Sequence, residues 1–249
     1  MRIACIHAHP DDAEILAGGT LGLLAAAGHE IAIATMAAGD CGSQSLAPAE
    51  IAAIRKTEAT AAAALIGAKY HCAGFRDLSI FNDDESRRRV TALLRDLSPD
   101  VVLTASPSDY LCDHEATSVL VRDACFTASV PNYATPGLSV PLRAIPCLYY
   151  LDPIAQVDRA GQPVVPDFTI DIASVFDTKV AMLAKHASQR AWLKQQHGID
   201  DYLNQMEEWT RRRGASAGVT YGEGLRQYRI HPYPREPVLQ ALLREYMRG

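Results

Sequence analysis

The segment HAHPDDAEILAGGTL, residues 7–21, places an imidazole and two carboxylates within four positions. His9, Asp11 and Asp12 follow a short apolar run and precede a helix-like pattern. Imidazole and carboxylate groups are the ligands that a hydrolytic metal ion takes, so these residues predict a metal site. Aspartate is also a common helix N-cap, and this role for Asp11 or Asp12 is the alternative interpretation.

A second polar cluster, SDYLCDHEAT at 108–117, follows the apolar segment PDVVLTAS at 99–106. It offers Asp109, Asp113 and His114, again where a predicted strand gives way to a predicted helix. Ligands of open α/β sheets bind at the carboxyl ends of the strands, so two such turns can meet. The second cluster therefore favours a metal site over two unrelated helix caps.

A mononuclear zinc hydrolase needs three protein ligands and an open position for water. His9, Asp12 and His114 supply such a set, and Asp11 then stands close enough to accept a proton from the water. Asp113 is predicted to hold an imidazole in its ligating tautomer. Two imidazoles and a carboxylate also accept iron or manganese, so the ligand set does not select zinc alone.

The elements that position these residues alternate between strand-like and helix-like patterns. Such alternation implies parallel strands with crossover helices, and predicts a Rossmann-like, doubly wound, mostly parallel sheet flanked by helices. The predicted strands are 2–8, 30–37, 69–75, 99–106, 147–152 and 168–176, and the predicted helices occupy the segments between them. The helix after the last of these strands is predicted to run through KVAMLAKHASQRAWLKQQ, residues 179–196.

Bulk properties limit the function classes. The 249 residues suit a single domain, with residues 190–249 predicted to be a C-terminal helical extension and a candidate lid or oligomer contact. A net charge of −5 argues against binding nucleic acid, and no apolar run reaches the ~18 residues of a membrane span. The six cysteines form no CxxC pair, which disfavours a thiolate zinc site and makes the cytoplasm the simplest compartment.

Several motifs, taken in order, carry a resemblance to a known family. They are HPDDAE with GGTL, GDCGS at 39–43, IRKTEATAAAALIGA at 54–68, GFRDL at 74–78, DH after PDVV, the segment 166–189 ending in HASQ, and YGEGLR at 221–226. In this order they are similar to the LmbE/PIG-L family of zinc-dependent deacetylases acting on N-acetylglucosaminyl compounds. The resemblance covers about residues 2–190.

The resemblance implies roles for individual residues. It makes His9, Asp12 and His114 the ligands of one zinc ion per subunit, Asp11 the general base, and Arg55 and Asp77 contacts to the sugar-bearing substrate. It also implies a homo-oligomer, either a trimer or a hexamer.

One departure concerns the proton donor. Many relatives have His-Pro-Asp-His where this chain has Leu-Cys-Asp-His at 111–114, and Leu111 cannot assist a tetrahedral intermediate or protonate an amine. Tyr110, Asp109 and His186 are the candidates to replace the missing group. His186 ranks first because the ordinary pKa of imidazole suits acid catalysis near neutrality. The alternative is that His186 is a packed helix residue.

Other polar residues have two interpretations each. Glu14 either hydrogen-bonds a metal ligand or favours the helix start, and Asp40 either lines the substrate pocket or makes a turn. Arg55 and Glu58 have the spacing of an ordinary surface pair on a helix. His7 is interpreted as structural, or as a neighbour of the ligands rather than a ligand.

The sequence thus predicts a hydrolase that removes an N-acetyl group from an N-acetylglucosamine-type conjugate. A first alternative keeps the metal and the fold but hydrates or hydrolyses a non-amide substrate. A second alternative is a sugar- or nucleotide-binding protein without catalysis, which the absence of a GxGxxG motif after the first strand disfavours.

Overall fold

The computed structural model describes residues 1–197 and 201–248. Its centre is an eight-stranded sheet with the strand order β3-β2-β1-β4-β5-β7-β6-β8. The elements of the first part are β1 Arg2–His7, α1 Asp12–Ala26, β2 Glu30–Ala37, α2 Pro48–Ala64, β3 Lys69–Phe75, α3 Asp84–Leu97, β4 Val101–Thr104, α4 Cys112–Thr127 and β5 Cys147–Leu151. These five strands are parallel neighbours, which confirms the predicted doubly wound arrangement.

The rest of the described chain completes the sheet in antiparallel fashion. Its elements are β6 Phe168–Asp171, α5 Phe176–Leu183, α6 Ala187–His197, α7 Tyr202–Ser216, β7 Gly222–Gln227, α8 Val238–Leu242 and β8 Met247–Arg248. Strand β7 pairs with β5 on one side and β6 on the other, and β8 pairs with β6. Residues 190–249, predicted as a helical extension, therefore also contribute two strands to the main sheet.

Glycine explains why β7 could join the sheet without an apolar strand pattern. A Cβ atom at Gly222 would lie 2.7 Å from the Thr169 side chain and 2.9 Å from the backbone of Gly214 in α7. Only glycine allows the strand to approach both neighbours this closely. The segment YGEGLR thus forms a strand because of close packing, a property that hydrophobic periodicity does not report.

Two apolar cores lie on opposite faces of the sheet, as strand alternation requires. Ile3 and Cys5 of β1 face a core formed with α1, α2 and α5, whereas Ala4 and Ile6 face a core formed with α3 and α4. The central strand is buried on both faces, which explains its continuous apolar run. Among the described residues, no helix is long and apolar enough to cross a membrane.

The predicted helix 179–196 is interrupted in the structure between α5 and α6. Ser188, in the first turn of α6, donates from its backbone N and its hydroxyl to the Glu58 carboxylate at 2.9 and 2.6 Å. The bond from the backbone N satisfies one of the free N–H groups at the start of α6. The Glu58 carboxylate therefore stabilises the start of α6. Arg55, predicted as a possible surface partner of Glu58, is instead buried.

Helix α1 is attached to the C-terminal part of the sheet through a buried ion pair. The Glu223 carboxylate of β7 accepts hydrogen bonds from the backbone N of Gly19 and Thr20 at 2.9 and 2.7 Å. It also accepts one from Lys179 Nζ at 2.6 Å, and both charged side chains are almost fully buried. A Cβ atom at Gly19 would lie 2.6 Å from the Ile172 side chain, so glycine is needed for α1 to pack this close to Ile172.

Lys179→Met is expected to lower the free energy of unfolding by about 3–5 kcal/mol, because the Glu223 carboxylate would remain buried without its counter-charge. The measurement is chemical denaturation. Lys185→Met is the matched control, since Lys185 is exposed and its substitution should cost within about 0.5 kcal/mol. Equal losses in the two variants would show that the buried pair does not stabilise the fold.

Candidate metal centre and active site

The parallel pairing of β1 with β4 brings the two polar turns together at the carboxyl edge of the sheet. His9 follows β1, and His114 lies in the first turn of α4, the helix after β4. Asp11 is the N-cap of α1 but makes no side-chain capping bond, and its φ of 99° is left-handed. A non-glycine residue in this conformation is strained, and such strain is typical of functional sites. Asp11 therefore occupies the N-cap position, as the alternative interpretation predicts, but its carboxylate does not cap the helix.

The two predicted ligand imidazoles, those of His9 and His114, both face one oxygen of Asp12. His9 Nδ1 and His114 Nε2 each lie 3.5 Å from Asp12 Oδ2. The far nitrogen of each ring is next to another carboxylate: His9 Nε2 donates to Asp113 Oδ2 at 3.0 Å, and His114 Nδ1 lies 3.2 Å from Asp109 Oδ2. This arrangement orients the lone pairs of the near nitrogens toward Asp12, as carboxylate–histidine partners of metal sites do.

The distance from Asp12 to each of the two imidazoles fits a shared metal ion. Ligand atoms on one tetrahedral zinc ion lie roughly 3.3–3.5 Å apart, since each zinc–ligand bond is about 2.0–2.2 Å long. The distances from Asp12 Oδ2 to the His9 and His114 nitrogens agree with this value. The predicted donor set thus has suitable chemistry, and each of its imidazoles lies at a suitable distance from Asp12.

His7 is a further imidazole at the same point. His7, Asp12 and His114 each present a ligand atom within 4.8 Å of the other two, and all three are buried. His7 Nδ1 contacts Asp12 Oδ2 at 2.7 Å, which is a hydrogen-bond distance and too short for two ligands of one tetrahedral ion. Its Nε2 has no hydrogen-bond partner among the described residues, so that atom is also available. Among the described residues at this point, the group with mutually close ligand atoms is thus His7, Asp12 and His114, and it does not include the predicted ligand His9.

The local electrostatics favour a cation. Burial opposes the charged form of His9, but hydrogen bonds to Asp113 and Asp12 outweigh it and raise its pKa to about 10. Burial is likewise outweighed by Asp12 and Asp109 at His114, whose pKa is raised. Although burial alone would raise the pKa of Asp12, the neighbouring imidazoles hold it well below its ordinary value. Positive charge is thus stabilised between these carboxylates, which is what a bound divalent ion requires.

Asp11 lies beside this cluster, in contact with two other side chains. The Tyr202 hydroxyl donates to Asp11 Oδ2 at 2.5 Å, and Arg55 Nη2 lies 3.6 Å from the same oxygen. Arg55 Nη2 also donates to the Pro10 carbonyl at 2.7 Å. Burial raises the pKa of the Asp11 carboxyl, although the nearby guanidinium opposes the shift. A buried carboxylate with a raised pKa is a stronger proton acceptor than an exposed one.

Asp77 and Asp40, both predicted to bind substrate, make hydrogen bonds that join the loop at residues 39–43 to the segment that follows β3. Asp77 accepts from the backbone N of Gly39 and Cys41 at 3.0 and 2.9 Å, and Asp40 accepts from the backbone N of Asp77 at 2.7 Å. Asp77 lines the cavity described below, whereas Asp40 is absent from its lining. Asp40, Cys41 and Asp77 also form a second group with metal-ligand atoms, but these carboxylates are occupied by the loop's backbone.

A cavity of about 600 Å³ opens beside the candidate metal ligands. Its described lining includes His9, Asp11, Asp12, Ile15, Arg55, Asp77, Leu78, Tyr110, Leu111, His114, Ile154, Val157, Trp192, Leu193, Tyr202 and Trp209. Tyr110, predicted as a substrate contact, lies here with its ring centroid 5.6 Å from that of His114. Among the lining residues that the structure describes, Arg55 is the only lysine or arginine. The cavity therefore suits a neutral substrate with apolar as well as polar parts.

The position of His186 disagrees with its predicted role as the proton donor. It is fully buried, with Nε2 3.3 Å from Glu14 Oε1, and it is not among the cavity-lining residues. A side chain in this position cannot donate a proton directly to a substrate in the cavity. Glu14, predicted to contact a metal ligand or favour the helix start, is buried and next to His186 instead. The charge of His186 also acts on Asp11, where it opposes the rise in the pKa of that carboxyl caused by burial.

Tyr202 and Trp209 belong to α7, within the segment 190–249 that is predicted to be a lid or an oligomer contact. Trp209 is an aromatic residue suited to either role, whereas nothing in the segment YLNQMEEWT marks Tyr202 as part of the site. Asp109, predicted only as a candidate to replace the missing histidine, instead contacts the His114 imidazole. Its position five residues before His114, in the same strand-to-helix turn, is a usable signal, because a metal-binding imidazole usually has a carboxylate partner.

The order of the strands and the cluster of imidazole and carboxylate side chains together define an α/β protein with a candidate metal centre at the carboxyl ends of β1 and β4. Residues 4–125 match the model of the PIG-L family, described as GlcNAc-PI de-N-acetylase. The family model and the relatives therefore confirm the resemblance predicted from the sequence: residues 4–125 are similar to the PIG-L family.

Individual relatives are similar over most of the chain. Diacetylchitobiose deacetylase from Thermococcus kodakarensis is 25% identical over 239 residues, covering 90% of this chain and 82% of the relative. The 4-oxalmesaconate hydratase of Pseudomonas putida is 27% identical over 192 residues, covering 74% and 72%. The solved structure of N,N'-diacetylchitobiose deacetylase from Pyrococcus horikoshii has a TM-score of 0.76 and 26% identity, covering 95% of this chain and 88% of that one. The relatives are thus named for two different reactions.

Proposed function

We propose that this protein is a metal-dependent hydrolase that removes an N-acetyl group from an N-acetylglucosamine-type conjugate. The observation that carries the proposal is the geometry around Asp12: two imidazole nitrogens at 3.5 Å from one carboxylate oxygen, with Asp11 as the next residue. The PIG-L match and the similarity to diacetylchitobiose deacetylase support an amide on an amino sugar as the scissile bond.

His9, Asp12 and His114 are the residues that would hold the ion. A bound zinc ion supplies Lewis-acid polarisation of the amide carbonyl and lowers the pKa of water. Asp113 and Asp109 keep the two imidazoles in the tautomers that present a lone pair to the ion. Iron and manganese accept the same donor set, so the identity of the metal is part of the proposal to be tested.

Asp11 is the general base in this proposal. It accepts a proton from the attacking water as oxygen bonds to the carbonyl carbon, and the amide C–N bond then breaks. Because Leu111 has no proton to give and His186 is outside the cavity, we assign return of the proton to the departing amine to the protonated Asp11. The raised pKa of this carboxyl suits both steps, since a group with a pKa nearer neutrality exchanges protons more readily in each direction.

The hydratase alternative is favoured by one relative and by Leu111, and is disfavoured by the charges of the cavity. A substrate with several carboxylates needs cations to bind it. Arg55, the only lysine or arginine in the described lining, already donates to the Pro10 carbonyl and lies near Asp11. A neutral acetylated amino sugar makes no such demand, and the tryptophan rings of the lining suit its apolar faces.

The test is a parallel assay of zinc-loaded and chelator-treated protein. We expect the loaded protein to release equal amounts of acetate and primary amine from N,N'-diacetylchitobiose or another N-acetylglucosamine conjugate, and the chelated protein to release neither. Loss of ultraviolet absorbance from unsaturated carboxylic acids, without amine release, would establish the hydratase alternative instead. Sugar binding with neither reaction, in protein that carries no stoichiometric metal, would indicate a binding protein.

A further inference from the structure

Resting on the proposed function, we infer that Tyr202 is a positioning residue that holds the Asp11 carboxylate in the orientation required of the general base. Nothing in the sequence motifs points to Tyr202, which lies 191 residues from Asp11 along the chain. The fold brings the two together because α7, which begins at Tyr202, packs over the carboxyl edge of the sheet beside the cavity.

The contact has the geometry of a strong hydrogen bond. At 2.5 Å, the distance from the Tyr202 hydroxyl to Asp11 Oδ2 lies in the range of a phenol donating to an ionised carboxylate. Both side chains are largely buried, and a hydrogen bond is electrostatically stronger there than in water. Burial and the neighbouring Asp11 charge disfavour ionisation of the phenol and raise its pKa, and Tyr202 therefore stays a donor.

The second contact of Asp11 falls on the same oxygen. Arg55 Nη2 lies 3.6 Å from Oδ2, and the guanidinium is itself held by the Pro10 carbonyl. Two side chains from different helices, α7 and α2, thus determine where Oδ2 lies. With Oδ2 engaged in this way, Oδ1 is the oxygen that we assign to accept the proton of the attacking water.

Positioning matters at Asp11 because its backbone is unusual. The left-handed φ of 99° directs the side chain away from the capping position, and no hydrogen bond to the helix start restrains it. Without the phenol, the carboxylate could rotate about its side-chain torsions, and proton transfer falls steeply when the base is misplaced. In the proton transfer itself Tyr202 neither gains nor loses a proton, since the water proton passes to Asp11 Oδ1.

The experiment compares Tyr202→Phe with wild type in the zinc-loaded protein. We expect kcat to fall about 10- to 100-fold, the range for losing a hydrogen bond to a charged group, with KM nearly unchanged. The acidic limb of the pH profile of kcat/KM should move up by about one pH unit, since the bond stabilises the ionised carboxylate. Zinc content should match wild type, and circular dichroism should show that the variant remains folded.

Tyr221→Phe is the matched control. Its hydroxyl also contacts α7, through Glu207 and Arg211, but at the protein surface and outside the cavity lining. This variant should retain the wild-type kcat, KM and acidic limb. A double-mutant cycle of Tyr202→Phe with Asp11→Ala, measured by unfolding, adds a readout that needs no substrate, and the two substitutions are expected to be clearly non-additive.

Each contrary result has a distinct meaning. An unmoved acidic limb together with additive unfolding energies would overturn the positioning role. A raised KM with unchanged kcat would show that Tyr202 contacts substrate instead, and a loss of zinc would show a structural role. If wild-type protein releases no amine from any acetylated amino sugar, the proposed function fails, while the unfolding cycle still decides whether Tyr202 and Asp11 are coupled.

Discussion

Asp11→Asn is expected to lower the turnover of amide hydrolysis by about 10²–10⁴-fold, the contribution typical of a general base. The amide is nearly isosteric with the carboxylate, so it can remain next to Tyr202 and Arg55. It cannot accept the water proton at neutral pH. Because the substitution leaves His9, Asp12 and His114 unchanged, the variant should bind one equivalent of zinc, as wild type is expected to.

The measurement pairs initial rates of amine release with zinc quantified in the same sample. Asp96→Asn is the matched control, because Asp96 is an exposed carboxylate at the end of α3, and its activity should equal that of wild type. Turnover retained in zinc-loaded Asp11→Asn would reject Asp11 as the base. A fall in turnover that parallels a loss of zinc would mean that Asp11 supports the metal site rather than the proton transfer.

The meeting of the two polar turns could be predicted from the sequence because it depends on topology. His9 and His114 each follow a strand of a parallel sheet, and sheet topology brings strand ends to one edge whatever the packing details. The same reasoning placed Asp113 near an imidazole, and the structure brings it to His9. Residue type and position in the βα unit therefore indicated which edge of the sheet gathers these groups, but not that His7, rather than His9, lies in the mutually close group.

The surroundings of Asp11 could not be predicted in this way. Tyr202 reaches the site through the packing of α7, and helix packing depends on side-chain shape rather than on a local motif. His186 illustrates the opposite error: its residue type suits acid catalysis, but burial beside Glu14 removes it from the cavity. Chemical suitability could be judged from the sequence, whereas access to the cavity could not.

A strand was predicted at the position of β6, but β7 was not predicted, for a related reason. Strand β7 has glycines at 222 and 224, and glycine is normally unfavourable within a strand. These glycines are explained only by neighbours distant in sequence, such as Thr169 and Asp152, which a Cβ atom would approach to 2.7 and 2.5 Å. A close approach between distant segments leaves no periodic pattern from which it could be inferred.

The largest effect on metal binding is expected from the comparison of His9→Phe with His7→Phe. If His9 is a ligand, its replacement should lower zinc affinity by more than about 100-fold, beyond the roughly 10- to 100-fold typical of residues that only support the ligands. His7→Phe should fall within that lower range, because His7 Nδ1 contacts Asp12 at a hydrogen-bond distance of 2.7 Å. The same ring substitution at both positions keeps changes in volume comparable.

Affinity is measured by competition with a chromophoric chelator, and circular dichroism verifies that each variant is folded. Asp109→Asn provides the reference for a supporting residue, since Asp109 Oδ2 lies 3.2 Å from the His114 ring and does not face Asp12. A greater loss in His7→Phe than in His9→Phe would instead assign the ion to His7, Asp12 and His114. In that case the bond from His9 to Asp113 would serve to attach the Leu78 loop, whose backbone N donates to the same Asp113 oxygen at 2.7 Å.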